Sequence, residues 1–219
     1  MGVVEAFLLW VPPVLLAITL HEAAHGYVAR MFGDPTAAEA GRISLNPLRH
    51  IDPMGTIAVP AALFFLTSAA TGDGMLFGWA KPVPVNFARL RNPKRDMLWV
   101  SLAGPLANLV MGLCWAVFLA LVVRTQQSID TPLAYMAVAG ISINAVLFVF
   151  NLLPLPPLDG GRIVTSLLPL PTAIKFARIE PYGIFIVLAL LMLGWLPVLI
   201  GEPVRIVRTV LLHFADLFF

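Results

Sequence analysis

Residues 6–30 read AFLLWVPPVLLAITLHEAAHGYVAR, an apolar run that ends in a cluster of ionisable side chains. From Ala6 to Leu20 the only polar side chain is that of Thr19. As a helix at about 1.5 Å per residue, the run outreaches a hydrocarbon core of about 30 Å. It is continuous and does not alternate, so it reads as a membrane-crossing helix and not as a barrel strand. The rest of the chain agrees. Apolar residues make up 59% of the 219 and charged residues 12%, about half of what a soluble domain carries. Low-complexity tracts and a Gly-X-Y period are absent, which excludes disordered and collagen-like classes, and a single cysteine excludes a disulfide scaffold. That residue, Cys114, lies in an apolar run and is expected as a small core side chain. A net charge of +2 carries no nucleic-acid signal. No basic segment precedes the first run and no small-residue cleavage site follows it, so it is expected as a retained span.

Three further runs have spanning length: residues 97–123, 132–153 and 181–200. The apolar stretch 56–70 is shorter, in the class of re-entrant segments. Basic residues decide its path. Arg30, Arg42 and Arg49 precede it, and Lys81, Arg89, Arg91, Lys94 and Arg95 follow it. A segment that dips in and returns keeps both groups on the cytoplasmic side, as the positive-inside rule prefers. Arg162, Lys175 and Arg178 land on that side too. Eleven of the fourteen Lys and Arg are then cytoplasmic, only Arg124, Arg205 and Arg208 dissent, and both termini are external. Residues 204–219 mix apolar side chains with Arg205, Arg208, His213 and Asp216 and read as an interfacial amphipathic helix. The expected fold is therefore an all-α polytopic membrane protein. It has about four transmembrane helices, a re-entrant segment, a small hairpin-like loop and the C-terminal amphipathic helix. No repeat or separable soluble segment is evident, so residues 1–219 form a single domain, with a core at about residues 6–165.

The chemistry sits at the end of the first run. His21 and His25 stand at i and i+4, so one helical face can aim two ring nitrogens at one ion. Glu22, beside the first of them, can take a proton from water at that ion, which is the mechanical content of H-E-x-x-H. Ionisable side chains this deep in lipid are costly and mark a functional site. A catalytic zinc takes three protein ligands, so a third must come from elsewhere. Asp159 is the candidate, in the segment NLLPLPPLDGGR at 151–162 that ends the third span. Its prolines forbid a regular helix, and unwound backbone at membrane depth is tolerated only where protein or water satisfies it. The other acids fit worse: Glu5 is on the opposite side, and Asp34, Glu39, Asp52, Asp73, Asp96 and Glu180 lie in loops or at span ends. His25 lies about 8 Å below Arg30 along the helix, in the cytoplasmic half of the membrane, and the third span returns to that side.

With these motifs in hand, the chain resembles a site-2 protease, the family of intramembrane zinc metalloproteases. HEAAH at 21–25 and NLLPLPPLDGG at 151–161 match the two principal family motifs. AGPLAN at 103–108 and GWAKPVPVN at 78–86 match two further signatures, all in family order across about residues 15–165. The resemblance is to the short bacterial and archaeal subgroup, because no insertion large enough for a PDZ domain separates the second and third spans. It implies one Zn2+ per chain held by His21, His25 and Asp159, with Glu22 as catalytic acid/base. It implies cleavage of transmembrane proteins or peptides in the lipid bilayer of the cell membrane, whether in regulated proteolysis or remnant clearance.

Asn108 or Asn151 is a candidate donor to the oxyanion, and both can equally serve as hydrogen-bond glue between helices. Gly104 and Pro105 read as a close helix approach. Pro12 and Pro13 are expected to kink the first span. In the extended stretch 81–85, Pro82 and Pro84 strip the donors from one edge, leaving Lys81, Val83 and Val85 to pair with an unwound substrate by strand addition. Three rivals remain. A metal or small-solute transporter would show repeats with paired broken helices, and one broken segment is present. A non-catalytic scaffold that binds membrane helices would not need the intact His21, Glu22, His25 and Asp159. A different membrane zincin or an iron enzyme would suit the two-His, one-carboxylate set, although iron leaves Glu22 surplus.

Overall fold

The computed structural model of the chain describes residues 3–63, 65 and 78–218. Its helices are α1 (Val3–Met31), α2 (Thr36–Glu39), α3 (Pro93–Gln126), α4 (Pro132–Asn151), α5 (Asp159–Leu167), α6 (Leu170–Ala177), α7 (Glu180–Met192) and α8 (Trp195–Asp216). Three are long and apolar enough to cross a membrane: Phe7–Met31 of α1, α3 and α4. The chain is an all-α, multi-pass membrane protein, and no strand occurs among the described residues.

Elements begin and end where local chemistry requires. Pro93 and Pro132 occupy first-turn positions, where a missing N–H costs nothing. The Thr131 hydroxyl oxygen accepts the Ala134 N–H at 3.3 Å and caps α4. At the end of α3, Gln127 adopts a left-handed conformation with φ 54° and donates back to Val123 O. α1 continues as helix through Pro12 and Pro13.

The bundle is α1, α3 and α4 packed on one another, with α8 against α3 and α4. Its buried positions are mostly small. Ala116, Ala120, Ala134, Ala137 and Ala145 are buried at the contact of α3, α4 and α8, while Leu106, Val110, Leu121 and Leu133 face outward. Association in lipid gains from backbone approach and not from hiding apolar surface, so small residues mark the contact face. Gly112 illustrates this: a Cβ there would lie 2.7 Å from Leu211 of α8.

Three expectations change. The fourth span is not one rod but α7 and α8, bent by 86° at a break carrying Gly194 with φ +71°. Apolar residues on both sides hide that break from a hydropathy reading. Residues 204–216 are accordingly the second half of α8, packed on the bundle through Leu211 and Ala215. Cys114 sits on the exposed face of α3 and is not a core residue. The stretch expected to re-enter starts as a π-helical turn, Pro53–Ala58, and runs as helix to Leu63. Most of its later part, with the 71–74 tip and Asp73, lies outside the described residues.

Candidate metal centre

His21 and His25 stand one turn apart on the face of α1 that packs against α3, and both are buried. Each is aimed through its Nδ1. His21 Nδ1–H donates to Asn108 Oδ1 of α3 at 2.6 Å, and His25 Nδ1–H donates to Val100 O at 2.7 Å. Both acceptors are oxygens that cannot donate, so each neutral ring presents a bare Nε2 lone pair. The two Nε2 atoms lie 3.1 Å apart.

Asp159 is the first residue of α5, directly after the proline-rich loop. The loop folds back over the first turn of α5 because Gly160 and Gly161 have no side chains. A Cβ on Gly160 would strike the carbonyls of Leu152 and Leu153, and one on Gly161 would strike the backbone of Leu155 and Pro156. Asp159 Oδ2 thereby comes to 3.2 Å from His21 Nε2 and 3.3 Å from His25 Nε2. It is buried and has no hydrogen-bond partner.

These three atoms fit zinc. Three lone-pair atoms facing one another in a buried space repel, and a cation between them removes the conflict. Tetrahedral zinc with ligands at about 2.0–2.2 Å separates neighbouring ligand atoms by about 3.3 Å. The observed separations of 3.1, 3.2 and 3.3 Å match. Gly104 keeps the space open, since a Cβ there would fall on His25 Nε2 and within 2.6 Å of His21 Nε2. Its expected role, a close helix approach, is thus a close approach of α3 to the two imidazoles. Among the described residues, this is the one group of three or more His, Cys, Asp or Glu side chains set to share an ion.

Glu22 is half-buried beside His21, and its Oε2 accepts the Val83 N–H at 2.7 Å. This contact revises the expected use of residues 81–85. The stretch has no regular secondary structure and forms no hairpin among the described residues. Its donors are engaged by the protein itself: Lys81 N–H goes to His50 O at 2.9 Å, and Val83 N–H, with its side chain buried, goes to Glu22. Of the three expected edge donors, only that of Val85 makes no hydrogen bond among the described residues.

Asn108 is fully buried; its Oδ1 accepts from His21, and its Nδ2 already donates to Ala17 O at 3.2 Å and Asn144 Oδ1 at 3.0 Å, so it has no donor left for an oxyanion. Asn151 donates to Leu147 O on its own helix at 3.0 Å. Asn144 of α4 was not expected in the site. It is fully buried, accepts from Asn108 Nδ2 at 3.0 Å and donates to Gly140 O at 2.9 Å. An amide in the middle of an otherwise apolar span was its one sequence signal. A cavity of about 380 Å3 lined by Glu5, Leu8, Leu9, Asp130, Pro132 and Tyr135 lies at the opposite end of α1 and contains no site residue.

Fold and site together define a polytopic membrane protein with a buried cluster of two histidines and one carboxylate that could hold a metal ion, and an adjacent glutamate. The model of peptidase family M50 matches residues 121–194, which include Asp159. The zinc metalloprotease YwhC of Bacillus subtilis is 40% identical over 81% of this chain and 77% of its own length. The zinc metalloprotease Rip2 of Mycolicibacterium smegmatis is 29% identical over 86% of this chain and 68% of its own. Rip2 of Mycobacterium tuberculosis strain H37Rv is 30% identical over 83% of this chain and 67% of its own. No solved structure matches the chain. The chain belongs to peptidase family M50, the site-2 protease family, and is a zinc-dependent protease.

Proposed function

We propose that this protease cuts transmembrane segments within the bilayer, as a single membrane-embedded domain of residues 1–219, with His21, His25 and Asp159 holding its zinc and Glu22 as the acid/base. The observation that carries the reading is the convergence of His21 Nε2, His25 Nε2 and the orphaned Asp159 Oδ2 among spanning helices, with Glu22 one residue from the first. Bound zinc supplies Lewis-acid chemistry, acidifying water and polarising a carbonyl oxygen. Asn108 and Val100 fix the two rings, and Asp159 adds the negative charge that offsets a dication. The Val83 N–H steadies the Glu22 carboxylate. Glu22 accepts the proton of the attacking water and passes it to the departing amine nitrogen. The substrate must meet the site extended, because a helix hides its peptide bonds from attack.

The distribution of Lys and Arg supports a site on the cytoplasmic side of the cell membrane with both termini external. The test is zinc content and cleavage of a single-pass membrane substrate by wild type and Glu22→Gln. The variant is expected to keep its zinc and to cut about 10²–10⁴-fold more slowly. Full activity in Glu22→Gln overturns the assignment.

A further inference from the structure

The hydrogen bond that orients His21 does not end at Asn108. Its Oδ1 accepts from His21 while its Nδ2 donates both to Ala17 O at 3.2 Å and to Asn144 Oδ1 at 3.0 Å. Asn144 Nδ2 in turn donates to Gly140 O at 2.9 Å. Asn108 and Asn144 are fully exclosed from solvent, His21 nearly so, and the chain crosses α1, α3 and α4. A backbone carbonyl can only accept. Gly140 O therefore requires the amide nitrogen of Asn144 on its side, which turns Asn144 Oδ1 toward Asn108. That oxygen and Ala17 O require the Asn108 nitrogen on their side, which turns Asn108 Oδ1 toward His21. An oxygen there requires the proton on His21 Nδ1, and the lone pair on Nε2. His25 has a shorter arrangement, its Nδ1 held by the backbone carbonyl of Val100 directly.

We propose that Asn108 and Asn144 are positioning residues of the metal centre: a directional hydrogen-bond relay, anchored at Gly140 O, that holds His21 in the tautomer and orientation in which Nε2 can bind zinc. Neither amide touches the reacting atoms. The relay makes the metal affinity of α1 depend on how α4 packs against α3, since Asn144 reaches His21 only across that contact. The inference rests on the zinc-site reading above.

Packing and hydrogen-bond direction give opposite orders of variants, which makes the relay testable. Asn108→Leu is a near-isostere suited to a lipid-buried contact, but it offers His21 no acceptor. Asn108→Asp retains an acceptor oxygen for His21 Nδ1–H while sacrificing the amide donors. Zinc affinity of the purified full-length protein in detergent is measured by competition with a chromophoric chelator, with thermal unfolding of the zinc-free protein alongside. Asn108→Leu is expected to bind zinc about 10–100-fold more weakly than wild type. Asn108→Asp is expected to bind more tightly than Asn108→Leu, and Asn144→Leu to fall between Asn108→Leu and wild type because Ala17 O still anchors Asn108. Wild-type affinity in Asn108→Leu, or an Asn108→Asp no better than Asn108→Leu, overturns the relay. A second readout needs no variant. Nitrogen-15 histidine spectra of the zinc-free wild type are expected to report His21 protonated at Nδ1, and a neutral ring protonated at Nε2 overturns the relay directly. Failure of the wild type itself to bind zinc is a different result, which overturns the zinc-site reading on which the relay stands.

Discussion

Gly104 shows how little room the centre has. On α3 it faces both imidazoles, and a single added carbon would overlap His25 Nε2. Gly104→Ala is therefore expected to keep the bundle and lose the metal, with zinc bound about 10-fold more weakly or worse. Metal analysis of the purified variant checks this, and an unchanged zinc content would mean that α3 shifts to admit the methyl group. At this scale the sequence was most legible where residue type and spacing together specify chemistry. Two imidazoles at i and i+4 share a face whatever surrounds them, and a carboxylate in a broken span needs a cation. Partners were less legible. The mid-span amides of Asn108 and Asn144 announce a hydrogen-bonding need, since an unmet one is costly in lipid. Which group meets that need depends on how three helices rotate about their axes. The same limit hid the pairing of Glu22 with Val83, because the parity of residues 81–85 identifies which donors share an edge but not what that edge meets.

The segment over the centre is buckled at both ends. Arg42 donates to Lys81 O at 2.8 Å, and buried Asp34 accepts the Asn86 N–H at 2.6 Å, the Thr36 N–H at 3.0 Å and the Thr36 hydroxyl. Burial pushes the Asp34 carboxyl up, but the Thr36 and Asn86 donors, with Arg89 nearby, outweigh it and hold it below the ordinary carboxylate range. Its folded value lies below its unfolded one, so its stabilisation is complete above the unfolded value and drains away as pH falls through the folded one. Asp34→Ala is expected to cost about 1.5–3 kcal/mol at neutral pH and to remove that acid dependence. Hydrogen exchange at the Val83 and Asn86 amides checks it, and unchanged protection would show that Asp34 does not hold the segment. The ends of α1, α3 and α4 were legible to within a few residues because composition and proline mark them. The faces that pack were not. Apart from a few buried polar residues such as Asn108 and Asn144, these spans are apolar all round, and the buried face differs from the lipid face in side-chain size, as Ala116 and Ala120 differ from Leu121. The break between α7 and α8 was hidden for the same reason, since hydropathy continues across Gly194.

Across the whole molecule, charge and chemistry agree on one arrangement. The span order that keeps most Lys and Arg on one side also returns α4 to the level of His21 and His25, where Asp159 begins α5. In a Cys114→Ser background, a thiol from Gln126→Cys, at the end of α3, is expected to react with an impermeant reagent on intact cells. One from Lys175→Cys, on α6, is expected to react only after lysis, and the reverse pattern would invert the topology. The metal centre itself is tested most directly by X-ray absorption at the zinc edge on the purified wild-type protein. The expected spectrum reports about one zinc per chain with only nitrogen and oxygen neighbours at about 2.0–2.2 Å, two of them imidazoles. A protein purified without zinc, or a zinc with a sulfur neighbour at about 2.3 Å, would contradict a centre built from His21, His25 and Asp159.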